Sequence, residues 1–197
     1  MFQNRKEVFK SIFVNIITLY NSIPPNISQH KKEKSKEKKK SQMSFPRAFF
    51  DGAVQNNICA YGVYIVMKEN QYFVIHWNEG KETNNKAEAM ALSGLLHFIF
   101  FLNIRSLQIY GDSKIIIDHV TVKSHIKNNQ LSGWMNRIDS LWRRRKDYNI
   151  HHVNRSQNTQ ADDLSKKGLL TQMGKCEMDI KMEAETYLIQ DFSLLGT

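Results

Sequence analysis

The chain has 197 residues, 41% of them hydrophobic and 11% aromatic, enough for the core of one domain and too many for a wholly disordered protein. Cys59 and Cys176 lie far apart and outside any Cys-x-x-Cys pair, which argues against a disulfide framework or thiolate zinc site and suits a reducing compartment, nuclear or cytoplasmic. The formal charge of +9 divides into +7 over residues 1–44, +5 over 45–168 and −3 over 169–197, so the middle of the chain stays basic and suits a polyanionic partner.

In residues 1–23, Phe9, Ile12, Phe13, Ile16 and Tyr20 fall at helical spacing and predict an amphipathic helix. Asn15 and Asn21 interrupt its apolar run, which is too short to cross a bilayer, so no membrane partner is expected. No small-residue cleavage site follows, which argues against a secretory signal. Pro24 and Pro25 end the helix. Residues 31–40 hold seven lysines and read as a solvated linker, with a nuclear-import signal or a polyanion-binding arm as the sharper alternatives.

From Phe45 the pattern becomes globular. Phe45 to Phe50 predicts a short buried strand that ends at Asp51-Gly52, a common turn pair. Asp51 is then either a turn cap or part of a site at the strand mouth. Tyr61 to Met67 and Tyr72 to Trp77 predict two strands, joined by the turn Lys68-Glu69-Asn70-Gln71. Thr83, Asn84 and Asn85 supply capping residues for a helix from about Lys86 to Phe101, with Ala87, Met90, Ala91, Leu95, Phe98 and Leu102 as its apolar stripe. Ser106 to Tyr110 predicts a fourth strand that runs into Gly111-Asp112-Ser113 and a helix carrying Ile115, Ile116, His119, Val122 and Ile126. A helix from about Leu131 to Lys146 follows, on which Trp134 and Trp142 share a face and read as core. Tyr148 to Val153 predicts a fifth strand, and Thr159 caps a last helix with Leu164 inward. The order βββαβααβα is that of an α/β fold with a mixed sheet. Residues after Gly168 read as an acidic appendage, with a short helix near Glu183 to Gln190.

Four carboxylates then stand at telling places. Asp51 ends the first strand, Glu88 lies one turn into the first long helix, Asp112 follows the fourth strand and Asp162 opens the last helix. Taken singly, Asp112 and Asp162 could be helix caps and Glu88 an exposed helix residue. Crossover connections bring separate strand ends together, where ligands of open α/β sheets gather. Converging carboxylates repel one another unless a cation is present, and an all-oxygen donor set suits a hard divalent metal.

The blocks Asp51-Gly52-Ala53, Thr83-Asn84-Asn85-Lys86-Ala87-Glu88, Gly111-Asp112-Ser113 and Asn158-Thr159-Gln160-Ala161-Asp162-Asp163-Leu164-Ser165 resemble the four motif blocks of the ribonuclease H family. The resemblance covers about residues 45–168 and is nearest to the ribonuclease H-like domains of plant-type, non-LTR retroelement reverse transcriptases. It implies five strands, the first three antiparallel, flanked by helices. It also implies endonucleolytic hydrolysis of the RNA strand of RNA·DNA hybrids by two Mg²⁺ ions, with Mn²⁺ as a substitute. Asp51, Glu88, Asp112 and Asp162 fall on the family's metal-ligand positions, Asp162 rather than Asp163 because the matching pattern is Ala-Asp-x-Leu. Asn84 and Asn85 match positions that contact the minor groove of the hybrid. Gly52, Ala53, Asn57 and Arg155 complete the expected nucleic-acid contacts, although Gln55-Asn56-Asn57-Ile58-Cys59 replaces the usual glycines of this loop. His152 lies near where many members place a histidine that aids product release; at a strand end it reads here as structural and half-buried. Arg143 to Lys146 suits a helix C-terminus whatever its function, and also phosphate contact. An upstream reverse transcriptase domain is the implied partner. The alternative to an enzyme is a catalytically inactive, retroelement-derived nucleic-acid-binding domain.

Overall fold

The computed structural model describes residues 46–122, 129–145, 147–182 and 185–190. The predicted N-terminal helix, the lysine run, Phe45, Ile126, Lys146 and Glu183 lie outside the described residues. β1 (Arg47–Gln55), β2 (Ile58–Lys68) and β3 (Gln71–Lys81) form an antiparallel meander, followed by α1 (Asn84–Phe101) and β4 (Ser106–Gly111). Then come α2 (Lys114–Val122), α3 (Asn129–Arg143), β5 (Asp147–His152), α4 (Thr159–Leu170), β6 (Cys176–Met182) and β7 (Glu185–Gln190). β4 and β5 run parallel to β1, and the sheet order is β5-β4-β1-β2-β3-β6-β7.

The expected five strands are all present, with the first three antiparallel, but the sheet has seven. The short helix expected near Glu183 to Gln190 is instead strand β7, paired antiparallel with β6. The tail before it forms strand β6, paired antiparallel with β3. Cys176, Met178 and Ile180 alternate with Glu177, Asp179 and Lys181, and the first three are at most 3% exposed. One apolar row crosses six strands through paired positions: Ile150, Ile109, Ala48, Ile65, Phe73 and Ile180. None of the six is more than 7% exposed.

The first strand runs five residues past the point where its sequence pattern ends. Asp-Gly reads as a turn, yet Asp51 and Gly52 are paired with Gly62 and Tyr61 inside the β1–β2 ladder. The turn falls at Asn56-Asn57, where both residues adopt left-handed backbone (φ 52° and 62°) between the paired Gln55 and Ile58. Asparagine tolerates this conformation, so a tight two-residue hairpin forms without glycine.

α1 is buried almost all round, from Ala87 and Met90 to Leu96 and Ile99, because it lies between the sheet and α3. Gly94 admits the Trp77 ring, which a Cβ there would strike. Thr83 precedes α1, but its side chain makes no capping bond. Asn158, not Thr159, occupies the cap position of α4. On α3 the core residues are Leu131, Met135, Ile138 and Leu141. Trp134 and Trp142, expected in the core, are only half-buried and lie under the guanidinium groups of Arg137 and Arg145.

Candidate active site

The site is built around the middle of β1. Side chains alternate across a strand, so Asp51 faces α4 while Gly52 faces α1. A Cβ on Gly52 would collide with the backbone of Ala87 and Glu88. A Cβ on Gly62, directly across the ladder from Asp51, would lie 2.5 Å from both Leu164 Cβ and Ser165 N. Two missing side chains therefore let two helices press onto opposite faces of the sheet beside one carboxylate.

That approach brings three of the four expected carboxylates together. One oxygen each from Asp51, Glu88 and Asp112 lies within 4.8 Å of the others. Each meets a donor from a different part of the chain. Ser165 Oγ donates to Asp51 Oδ2 at 2.6 Å, the Gly52 N–H donates to Glu88, and Asn158 Nδ2 donates to Asp112 Oδ1 at 3.0 Å. Asn158 Nδ2 also reaches the Phe50 carbonyl at 3.0 Å, tying the start of α4 to β1.

Asp51 and Glu88 resist ionisation. Burial pushes Asp51 up to about 7; the Ser165 hydroxyl pulls it down, and Asp112 and Asp162 push it further up. Burial likewise holds Glu88 well above the usual carboxylate range, with Asp51 and Asp112 adding to the effect. Glu88 Oε2 is buried and has no hydrogen-bond partner among the described residues. A crowded all-oxygen set with one oxygen unsatisfied by the described residues fits a hard divalent cation.

Asp162 stands beside this trio rather than in it. Its carboxylate is gripped by Arg155, through Nη2 and through Nε at 3.1 Å, and by Lys166 Nζ at 2.5 Å. Burial pushes this carboxyl up, but Lys166 and Arg155 outweigh it and hold Asp162 below the usual range. Two cations thus favour the ionised form of Asp162.

An open cleft of about 410 Å³ runs from the trio along β1, lined by Gly52, Ala53, Gln55, Asn84, Arg155 and Lys166 among others. Asn85 is exposed one residue beyond Asn84. Asn57 sits at the exposed tip of the β1–β2 hairpin, six residues from Asp51, and does not line this cleft. His152 is exposed rather than half-buried, with Nε2 3.2 Å from the Asp112 carbonyl. Sequence reasoning gave Gly62, Asn158, Ser165 and Lys166 no role. Ser165 and Lys166 follow Asp162 by three and four residues, which places them on its helix face; that spacing was the available signal.

A mixed sheet with β4 and β5 parallel to β1 and an antiparallel meander on the other side define a ribonuclease H-type fold, with carboxylates gathered beside the β1–β4 pair. The family profile described as reverse transcriptase-like matches residues 49–168. The chain belongs to that family. No match emerges among curated proteins. Among solved structures, RNase H1 from the halophilic archaeon Halobacterium salinarum is 28% identical, with a TM-score of 0.58, over 63% of this chain and 96% of that one. The N-terminal RNase H domain of a Mycobacterium tuberculosis protein is 22% identical, with a TM-score of 0.56, over 62% and 98%. LC11-RNase H1, solved in complex with an RNA/DNA hybrid, is 21% identical, with a TM-score of 0.57, over 62% and 95%.

Proposed function

We propose that this protein hydrolyses the RNA strand of RNA·DNA hybrids endonucleolytically. The observation that carries the reading is the meeting of Asp51, Glu88 and Asp112 in an open cleft, with Asn84 and Arg155 on its walls. Family membership and the archaeal RNase H1 relative support the reaction class. Asp51, Glu88, Asp112 and Asp162 would hold two Mg²⁺ ions, which when bound activate water and stabilise the leaving oxygen of a phosphodiester.

The chain's own groups bind and orient the hybrid. Asn84 and Asn85, exposed at the start of α1, offer amide donors and acceptors to the 2′-hydroxyls that mark the RNA strand. Gly52 and Ala53 keep the cleft floor low beside Asp51, so that a backbone can approach closely. Arg155, with a side chain 71% exposed, and Lys166 present positive charge to phosphate from the Asp162 side. Asn57 extends the contact along the hairpin. An upstream reverse transcriptase domain is the partner that the family description supports.

The test is an end-labelled RNA·DNA hybrid incubated with protein and Mg²⁺, beside an Asp112→Asn variant and an all-DNA duplex. Cleavage of the RNA strand alone, lost in the variant, is expected. Folded wild-type protein that binds hybrid but cuts nothing in Mg²⁺ or Mn²⁺ would replace this proposal with a non-catalytic binding domain.

A further inference from the structure

We propose that Ser165 is a positioning residue for Asp51, fixing this carboxylate for metal binding through the hydroxyl of α4; the inference rests on the metal-site reading above. Ser165 is wholly buried, and its Oγ lies 2.6 Å from Asp51 Oδ2 and 2.8 Å from the Asp162 carbonyl of its own helix. A hydroxyl carries a single proton. Of these two acceptors the carboxylate is the stronger when ionised, and 2.6 Å falls in the range of charge-assisted O–H···O⁻ bonds.

The placement is built, not incidental. Gly62, paired with Asp51, has no side chain, and this lets the Ser165 backbone come close enough for a two-atom side chain to reach across. Of the hydrogen-bond donors given above for the trio, Ser165 is the one from α4 that meets Asp51, while Glu88 is met by Gly52 N–H and Asp112 by Asn158. The β1 backbone fixes Cα of Asp51, but the carboxylate plane can still turn. Ser165 removes that freedom and occupies one oxygen. Groups that hydrogen-bond metal ligands from behind set ligand orientation, and losing one typically costs about 10- to 100-fold in metal affinity or activity.

The experiment compares wild-type protein, Ser165→Ala, Ser165→Cys and Asp51→Asn by titration with Mn²⁺, followed by electron paramagnetic resonance, without nucleic acid. Each is also assayed for hybrid cleavage, and hybrid affinity is measured in EDTA. Alanine removes the donor; cysteine nearly keeps the volume but is a weak donor. Both serine variants should bind Mn²⁺ about 10-fold more weakly and lose about 10-fold in kcat, with KM and hybrid affinity in EDTA within twofold of wild type. A purely structural serine would lower Tm and leave the Mn²⁺ affinity alone. Mn²⁺ binding by both variants within twofold of wild type, or recovery in cysteine alone, overturns the proposal while the metal site stands. Wild-type protein that binds no Mn²⁺, or binds it as Asp51→Asn does, overturns the metal-site reading and the proposal together.

Discussion

Replacing Asp51 with asparagine should abolish cleavage and yet make the metal-free protein more stable at neutral pH. In the folded protein the Asp51 carboxyl is pushed from 3.8 to about 7, first by burial and then by Asp112 and Asp162 against the pull of Ser165. The folded value lies above the unfolded one, so between pH 3.8 and 7 the folded state binds more protons, and stability falls as pH rises through that window. At about 1.4 kcal/mol per pH unit the gap amounts to about 4 kcal/mol above pH 7 and vanishes near pH 4. Asparagine removes the charge, accepts from Ser165 with its carbonyl and donates to a neighbouring carboxylate with its amide. The assay is thermal unfolding in EDTA at pH 4, 6 and 8, with and without Mg²⁺. At pH 8 the variant should melt about 10 °C above wild type, given a few degrees per kcal/mol for a domain of this size. The difference should shrink toward pH 4, and Mg²⁺ should raise the wild type more than the variant. A variant no more stable than wild type at pH 8, or a gain that persists unchanged at pH 4, would refute the electrostatic account of this cluster.

Gly62→Ala places a Cβ 2.5–2.7 Å from Leu164 Cβ, Ser165 N and Ala161 O, so α4 must move; urea unfolding should show a loss of about 3 kcal/mol, and Mn²⁺ binding should weaken with it. His76, 1% exposed, is pushed down to about 4 by burial and then by Lys167, against Glu177 at 3.6 Å. Its folded value lies below the unfolded one, so its contribution is intact above pH 6.5 and is lost as pH falls toward 4, by at most about 3 kcal/mol. Asp51 changes with opposite sign in the same window, so the urea comparison of His76 with His76→Gln belongs in the Asp51→Asn background, where the glutamine variant should flatten the pH 7 to 4 decline. Ending the chain at Lys175 removes Cys176, Met178 and Ile180 from the core; at about 2 kcal/mol per buried side chain, urea unfolding should show a loss of about 6 kcal/mol. Unchanged stability would mean that β6 only lies along β3 without completing the core.

The strands, the long helices and the order of the carboxylates were legible because each rests on local pattern: alternation in Tyr61 to Met67, a helical stripe after Thr83, a carboxylate directly after Tyr110-Gly111. What escaped was set by contacts distant in sequence. Asp51-Gly52 reads as a turn because that pair is common in turns, but here glycine serves the approach of Ala87 and the aspartate the approach of Ser165, both brought in by tertiary packing. The β1–β2 turn was obscured because asparagines, not glycines, take the left-handed positions. The β6 alternation was present in the sequence, yet its apolar members Cys176, Met178 and Ile180 are weak strand signals until Phe73 and Trp77 supply a surface to cover. Trp134 and Trp142 share the right face for a core but meet guanidinium groups instead, since Leu131, Met135 and Ile138 already fill the seam with α1.

The four carboxylates, equivalent as sequence motifs, are made unequal by the fold. Burial and neighbouring carboxylates oppose ionisation of Asp51 and Glu88, while Asp162 on α4 is held ionised by Arg155 and Lys166. A hard cation would relieve the first pair directly. The last differs, because any cation that recruits Asp162 must compete with two resident positive charges. Phosphate of a bound hybrid is the group best suited to draw Arg155 away, since its side chain is 71% exposed and its guanidinium pairs with phosphate as readily as with carboxylate. Arg155→Ala should therefore strengthen Mn²⁺ binding to the free protein while weakening hybrid binding in EDTA. Loss of both would assign Arg155 to holding Asp162 in place.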